Sequence, residues 1–235
     1  MAQSEADPNP AQIRDVVAID GPSGAGKSTV ARRLAERLGF AYLDTGAMYR
    51  AVTWVLLERR VDGAPDEVTV AALLGEMQLQ IGNSGRVIVN GRDVTAHLRS
   101  AEVESRVSAV SAMPVVRGFM RDLQRQVAAA GPIVVEGRDM GTVVFPAARW
   151  KVYLDADPRE RARRRLEDFQ RSGRDVTQKE VLEEIVVRDR LDSTRKDAPL
   201  RRAPGAVDID TSGHTVEEVV EQLAGWVRGR SGTAP

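Results

Sequence analysis

Gly21-Pro22-Ser23-Gly24-Ala25-Gly26-Lys27-Ser28, followed by Thr29, is the stretch with the clearest chemistry in its spacing. It fits the pattern G-x-x-x-x-G-K-[ST]. The glycines let the backbone wrap closely, with its N–H groups pointing at phosphate oxygens. One amine, Lys27, can reach the β and γ phosphates of a bound nucleotide, and the Ser28 hydroxyl can ligate Mg²⁺. A plain glycine-rich turn gives no reason for a lysine followed by two hydroxyls. The pattern implies ATP or GTP together with Mg²⁺. A second carboxylate for that ion belongs at the end of a buried strand, and "IVVEG" places Glu136 there, acting through water because Mg²⁺ keeps part of its hydration.

Three further segments combine arginine with aspartate: "LDTGAMYR" (43–50), "EGRDMGTVVFP" (136–146) and "RDRLDSTRKDAPL" (188–200). Each lies where a strand or helix ends, on the sheet edge at which open α/β folds bind ligands. Phosphoryl transfer needs such clusters, because two anions must be brought into line against their repulsion. A single exposed Arg–Asp pair is a weak surface salt bridge. Three clusters beside a phosphate loop make a second anion, the acceptor, the better reading. A GTP-binding switch would carry Asn-Lys-x-Asp. The asparagines are Asn9, Asn83 and Asn90, and none precedes a lysine. A mechanical ATPase and a small-molecule kinase both remain open.

These residues need a scaffold, and the hydrophobic pattern supplies one. "DVVAID" (15–20) reads as a buried strand, "STVARRLAERLG" (28–39) as a helix stopped by Gly39, "FAYLDTG" (40–46) as a second strand and "AMYRAVTWVLLERR" (47–60) as a second helix. That is the rhythm of a parallel sheet covered by helices. Residues 61–98 break it with β alternation around Asn90-Gly91, a strong hairpin signal, and predict a small antiparallel insert. The rhythm then resumes with two helices meeting near Pro114 and strands at 132–137, 150–156 and 206–211. An arginine-laden helix and two helices with capping boxes at Thr177/Glu180 and Thr215/Glu218 complete it.

Composition sets the outer bounds. Among 235 residues, 42% are hydrophobic and 29% charged, as in an ordinary globular protein. With no cysteine and only His97 and His214, thiol nucleophiles, Cys-ligated zinc and a Ser-His-Asp triad have almost no material. The absence of cysteine fits a reducing, cytoplasmic compartment. The longest apolar runs fall far short of the roughly 20 residues of a membrane helix. The polar ends, 1–13 and 229–235, read as flexible tails. A formal net charge of +0 and 4% aromatics weigh against a nucleic-acid polymer as partner, although the 159–202 segment is arginine-rich.

Taken together, "DGPSGAGKST", "YLDTGAMYRA", the Asn-Gly hairpin, "GRDMGTVVFP" and "APL" after an arginine-rich helix closely resemble the bacterial cytidylate kinases, from about Val16 to the last helix. The resemblance implies a three-layer parallel-sheet P-loop NTPase core (14–60 and 99–228), an NMP-binding insert (61–98) and a helical lid at about 158–176. It implies transfer of the γ-phosphoryl group of ATP to CMP or dCMP, and a monomer with neither nucleic acid nor membrane as partner. Carried over by position, Thr45, Tyr49, Arg50 and Arg138 would surround the acceptor phosphate and nearby sugar. Ser108, Arg117 and Asp139 would read cytosine. Asp192 with Arg188 would meet the ribose, and Arg195 would approach the phosphates. Arg161, Arg164 and Arg165 would fold over ATP. Two departures stand out: Thr45 replaces the serine of some members, and Leu191 falls where others can have arginine. Both leave the relative use of CMP and dCMP open. Acceptors such as UMP, AMP or a non-nucleotide alcohol are the nearest alternatives.

Overall fold

Residues 13–61, 66–82, 85–171 and 173–229 are described by a computed structural model. The expected tails fall almost wholly outside these ranges, but Ile13 does not: it is buried, 8% exposed, in the main core.

Five parallel strands form the central sheet: β1 (Val16–Asp20), β2 (Ala41–Asp44), β6 (Ile133–Gly137), β7 (Trp150–Asp155) and β8 (Val207–Asp210). Their spatial order is β2-β6-β1-β7-β8. β1 is central, and its side chains alternate between two cores. Val16 and Ala18 face one cluster, Val17 and Ile19 the other. A continuous apolar run is what a strand covered on both faces requires. The second cluster is filled by α1 (Lys27–Leu38) and α8 (Val216–Val227), through Val30, Leu34, Val219 and Leu223. The first is filled by α2 (Thr45–Glu58) and α5 (Pro114–Ala128), through Met48, Val52, Val116 and Met120. The result is the three-layer architecture expected from the strand–helix rhythm.

The insert is part helix. α3 (Glu67–Glu76) precedes the antiparallel β3 (Leu79–Ile81), β4 (Val87–Val89) and β5 (Arg92–Asp93). Asp66 caps α3 by accepting from Thr69 N–H, a helix that the β alternation expected over 61–98 did not include. At the hairpin, Asn90 and Gly91 take φ of 49° and 79°, the pair of positive angles an Asn-Gly turn requires. Val70, Leu74, Val87 and Val89 are buried in the main core, with α3 against α5 and β4 against α2, so the insert shares that core.

After α4 (Ala101–Ala112), α6 (Pro158–Arg171) and α7 (Gln178–Thr194) form a helical hairpin with its own small core of Ala162, Phe169, Val181 and Ile185. Arg165 and Arg174 stack on Phe169, with guanidinium carbons 4.9 and 4.1 Å from the ring centroid.

Candidate functional site

Strand register does the first part of the positioning. Asp20 is paired with Gly137, and Asp44 with Glu136, so three carboxylates meet at the carboxyl edge of the sheet. A cleft of about 850 Å³ opens there, between the phosphate loop, α2, α5, α6, α7 and the loop after β8.

The phosphate loop is shaped by close approach. Gly21 sits against β7: a Cβ there would lie 1.9 Å from the Leu154 carbonyl oxygen. Gly26 is the residue before α1, with φ of 85°. Lys27 is buried, and its amine donates to the Pro22 carbonyl at 2.6 Å. Burial, followed by the charge of Arg138, lowers the Lys27 pKa to about 7. Anionic oxygens in the loop reverse that trend by pairing with the ammonium. Ser28 donates to Glu136 Oε1 at 2.5 Å, which brings one hydroxyl and one carboxylate together on oxygen-only ground. Burial, then the neighbouring Asp44 carboxylate, raises the Glu136 pKa.

The other end of the cleft is built around Arg117, 5% exposed, and Asp139, 2% exposed. Arg117 Nη2 donates to Asp139 Oδ2 at 2.5 Å, and its Nε donates to Asp197 at 3.1 Å. Arg195 Nη2 approaches the other Asp139 oxygen at 3.5 Å. Tyr49 OH lies 3.5 Å from Arg117 Nη1, and burial pushes its phenol up to about 12. The site therefore presents a fixed carboxylate beside fixed guanidinium donors.

Between the two ends lie the remaining cations. Arg138 donates to Asp192 at 2.8 Å. Arg50 pairs with Asp44 at 3.1 Å, and Asp44 also caps α2 by accepting from Ala47 N–H at 2.7 Å. The helix thus starts at Thr45, earlier than its sequence pattern indicates, and Thr45 donates to the Glu136 carbonyl at 2.7 Å. Arg165 and Arg188 converge on Glu104, at 2.6 and 3.5 Å. Three buried donor atoms here have no hydrogen-bond partner: Arg50 Nε, Arg188 Nε and Arg195 Nη2. An unsatisfied buried donor costs about 1–3 kcal/mol. A ligand with acceptor oxygens would remove that cost.

Most residues expected from sequence do line the cleft: Ser23 to Thr29, Thr45, Tyr49, Arg50, Arg117, Glu136, Arg138, Asp139, Arg164, Arg165, Arg188, Asp192 and Arg195. Gly21 and Pro22 shape the loop from behind. Two of the expected residues lie outside the lining of this cleft. Arg161 lies beneath the loop, where it donates to the Ser23 carbonyl at 3.1 Å and to Asp189 at 2.6 Å. It braces the loop against α7 and is not among the cleft-lining arginines. Ser108 faces a smaller cavity of about 290 Å³ between α4, α6 and α7, while Ser111, nearly one turn on, reaches the cleft. The helical phase of α4 separates them.

Other contributors escaped the sequence reading. Thr211 and His214 line the cleft after β8, where Arg164 donates to Thr211 Oγ1 and O at 2.9 Å each. Their position just after a strand of the parallel sheet was an available signal. Glu104 had none, being one of two acids in the first turn of α4.

The sequence model of the cytidylate kinase family matches residues 17–228. A cytidylate kinase from Carboxydothermus hydrogenoformans is 48% identical over 210 residues, covering 88% of this chain and 94% of that protein. A bifunctional pantoate ligase/cytidylate kinase from Synechococcus sp. (strain CC9605) is 49% identical over 222 residues, covering 92% of this chain but 46% of that protein. The chain thus spans about half the length of several curated relatives it matches. Among solved structures, an uncharacterized protein from Eubacterium ventriosum shares the fold, with a TM-score of 0.51 at 12% identity over 92% of this chain and 99% of that one. With the family match running from β1 to the end of α8, and its glycine loop and arginine clusters meeting in one cleft, the chain belongs to the cytidylate kinase family.

Proposed function

We propose that the protein transfers the γ-phosphoryl group of ATP to CMP or dCMP, forming ADP and CDP or dCDP. The observation that carries this reading is the placement of Arg50, Arg188 and Arg195. Each has a buried guanidinium nitrogen without a hydrogen-bond partner, in the cleft shared by a phosphate loop and a buried Arg–Asp pair. Cations poised between two nucleotide-sized ends suit a reaction that joins two anions head to head.

The phosphate loop and Lys27 hold the triphosphate, and Arg164 with the Thr211–Val216 loop covers the donor nucleoside. At the acceptor end, the free lone pairs of Asp139 accept from the cytosine amino group, while Arg117 donates to N3 and O2. Uracil presents O4 where cytosine presents its amino group, and a carboxylate facing that oxygen repels it. Thr45, Tyr49, Arg50 and Arg138 steady the acceptor phosphate, and Asp192 with Arg188 meets the sugar. An oxygen of that phosphate is already nucleophilic, so alignment and charge compensation do most of the work. The α6–α7 hairpin excludes water as its arginines engage the phosphates.

Ser28 and Glu136 fit Mg²⁺, the former directly and the latter through water, because their paired oxygens suit a hard cation. When bound, the ion neutralises charge on the β and γ phosphates.

The test is ADP formation with ATP and each nucleoside monophosphate in turn, with and without Mg²⁺. Turnover with CMP or dCMP well above UMP and AMP is expected. Absence of CMP-dependent ADP release would refute the reading.

A further inference from the structure

Asp20 is the last residue of β1, and its carboxylate is 2% exposed. It accepts two backbone hydrogen bonds, from Met140 N–H and Gly141 N–H, each at 2.8 Å. Those amides open the π-helical turn Met140–Val144, directly after Arg138 and Asp139. Asp20 directly precedes Gly21. One buried carboxylate therefore ties the phosphate loop to the segment that carries the base-facing aspartate and a phosphate-facing arginine.

The parallel ladder does not require this group, since β1 and β6 already pair from Val16–Ile133 to Asp20–Gly137. A charged oxygen pair is also a costly choice at this depth. Burial, only partly offset by the Gly141 and Met140 amides, raises the Asp20 pKa to about 6. Gly141 is held closely: a Cβ there would lie 3.0 Å from Ala203 Cβ and 3.4 Å from Asp20 Oδ2. The turn has little room to settle elsewhere.

We infer that Asp20 is a positioning residue for the acceptor nucleotide, fixing through Met140 and Gly141 N–H the angle at which Arg138 and Asp139 enter the cleft. It does so from the residue that precedes the donor loop. This inference rests on the reading of CMP as acceptor and names no substrate contact for Asp20 itself.

Asp20→Asn is the test. The carboxamide keeps one acceptor oxygen and sets an NH₂ group against the second backbone N–H, so one bond is lost and the turn rotates. The KM for CMP is expected to rise about tenfold and the preference for CMP over UMP to fall about tenfold, the scale of one charge-assisted backbone bond. The KM for ATP should stay within about twofold, because the loop amides that hold phosphate are untouched and Lys27 is the smallest of the influences named for Asp20. A merely structural role would lower the melting temperature and weaken both nucleotides alike. That outcome, or an unchanged CMP KM and CMP/UMP ratio, would overturn the assignment. If the unsubstituted protein ignores CMP, the proposed function fails first. If it turns CMP over and Asp20→Asn behaves identically, only the role of Asp20 falls. Should the variant not fold, amide exchange in the unsubstituted protein decides. A non-hydrolysable ATP analogue alone is expected to slow exchange at Met140 and Gly141, and no change there would overturn the tie.

Discussion

On the proposed function, replacing Asp139 with asparagine is expected to separate base recognition from phosphate chemistry. Arg117 and Asp139 have side-chain exposures of 5% and 3% and meet at 2.5 Å. Breaking a buried pair by neutralising one partner costs about 3–5 kcal/mol. Arg117 keeps Asp197 at 3.1 Å, and that partner is 55% exposed, which places the loss at the lower end, about 3 kcal/mol. The effect on specificity is sharper. In Asp139→Asn the amide oxygen must serve Arg117, so the NH₂ group turns toward the base. A donor there suits uracil O4 and opposes the cytosine amino group. A mismatched buried polar pair costs about 1–3 kcal/mol, which is about five- to 150-fold in kcat/KM. The CMP/UMP ratio is therefore expected to fall about a hundredfold, with the KM for ATP within about twofold of the original. The assay is coupled ADP release at saturating ATP, titrated with CMP and then UMP, alongside circular dichroism to verify the fold. A folded variant with an unchanged CMP/UMP ratio would refute the claim that this carboxylate reads the base.

Lys27→Met should cut kcat by about 10²–10³, the scale seen when one transition-state charge contact is removed. Because the folded pKa of Lys27 is depressed to about 7, the unfolded chain binds more protons between pH 7 and its ordinary value of 10.5. The stability of the unsubstituted protein gains from this group as pH rises through that window. Any melting-temperature advantage of Lys27→Met should accordingly shrink from pH 7 to 10, and a gap independent of pH would contradict the burial argument. Gly21→Ala drives a methyl to 1.9 Å from the Leu154 carbonyl and should destabilise the protein by about 3 kcal/mol, read by chemical denaturation; a change under about 1 kcal/mol would show that the loop is not pinned to β7. Glu104→Gln weakens the internal partner of Arg165 and Arg188, so inorganic phosphate should bind about three- to tenfold tighter by calorimetry, and unchanged affinity would mean that Glu104 does not compete with phosphate.

Legibility in the sequence followed the range of the interactions. The phosphate loop, the Asn90-Gly91 turn and the two capping boxes are local devices, and they form where their spacing places them. The two-faced central strand was equally plain, since Val16–Asp20 has no polar side that could meet water. The start of α2 was harder, because 40–46 reads as a strand to its end until Asp44 is seen to accept from Ala47 N–H. Ser108 and Ser111 differ by three residues, and only the packing of α4 decides which of them meets the cleft. Arg161 carried the same sequence signature as Arg164 and Arg165, yet Gly24 packs on its backbone and turns it beneath the loop. The π-helical turn at Met140–Val144 has no local signal. It is held by Asp20 from a strand more than a hundred residues earlier in the chain.

Why a site so rich in arginine occurs in a chain of zero net charge follows from the same pairings. Arg50, Arg117, Arg138, Arg165 and Arg188 each have a carboxylate within the site: Asp44, Asp139, Asp192 and, for the last two, Glu104. These acids hold the guanidinium groups apart at positions their mutual repulsion would otherwise forbid. Coulomb interactions strengthen as water leaves, so a cluster of bare cations would resist closure of the helical hairpin before substrate arrived. The pairs differ in how easily they yield. Arg117–Asp139 is short and nearly dry, the fixed surface to which the proposed function assigns the base. Arg188–Glu104 is longer, at 3.5 Å, and leaves Nε without a partner, so phosphate oxygens can displace it at little cost. On the proposed function, acceptor recognition would rest on pairs that persist through binding, and charge compensation on pairs that exchange. That division would let one cleft be selective for a base and still release a product that carries more phosphate than the acceptor it took in.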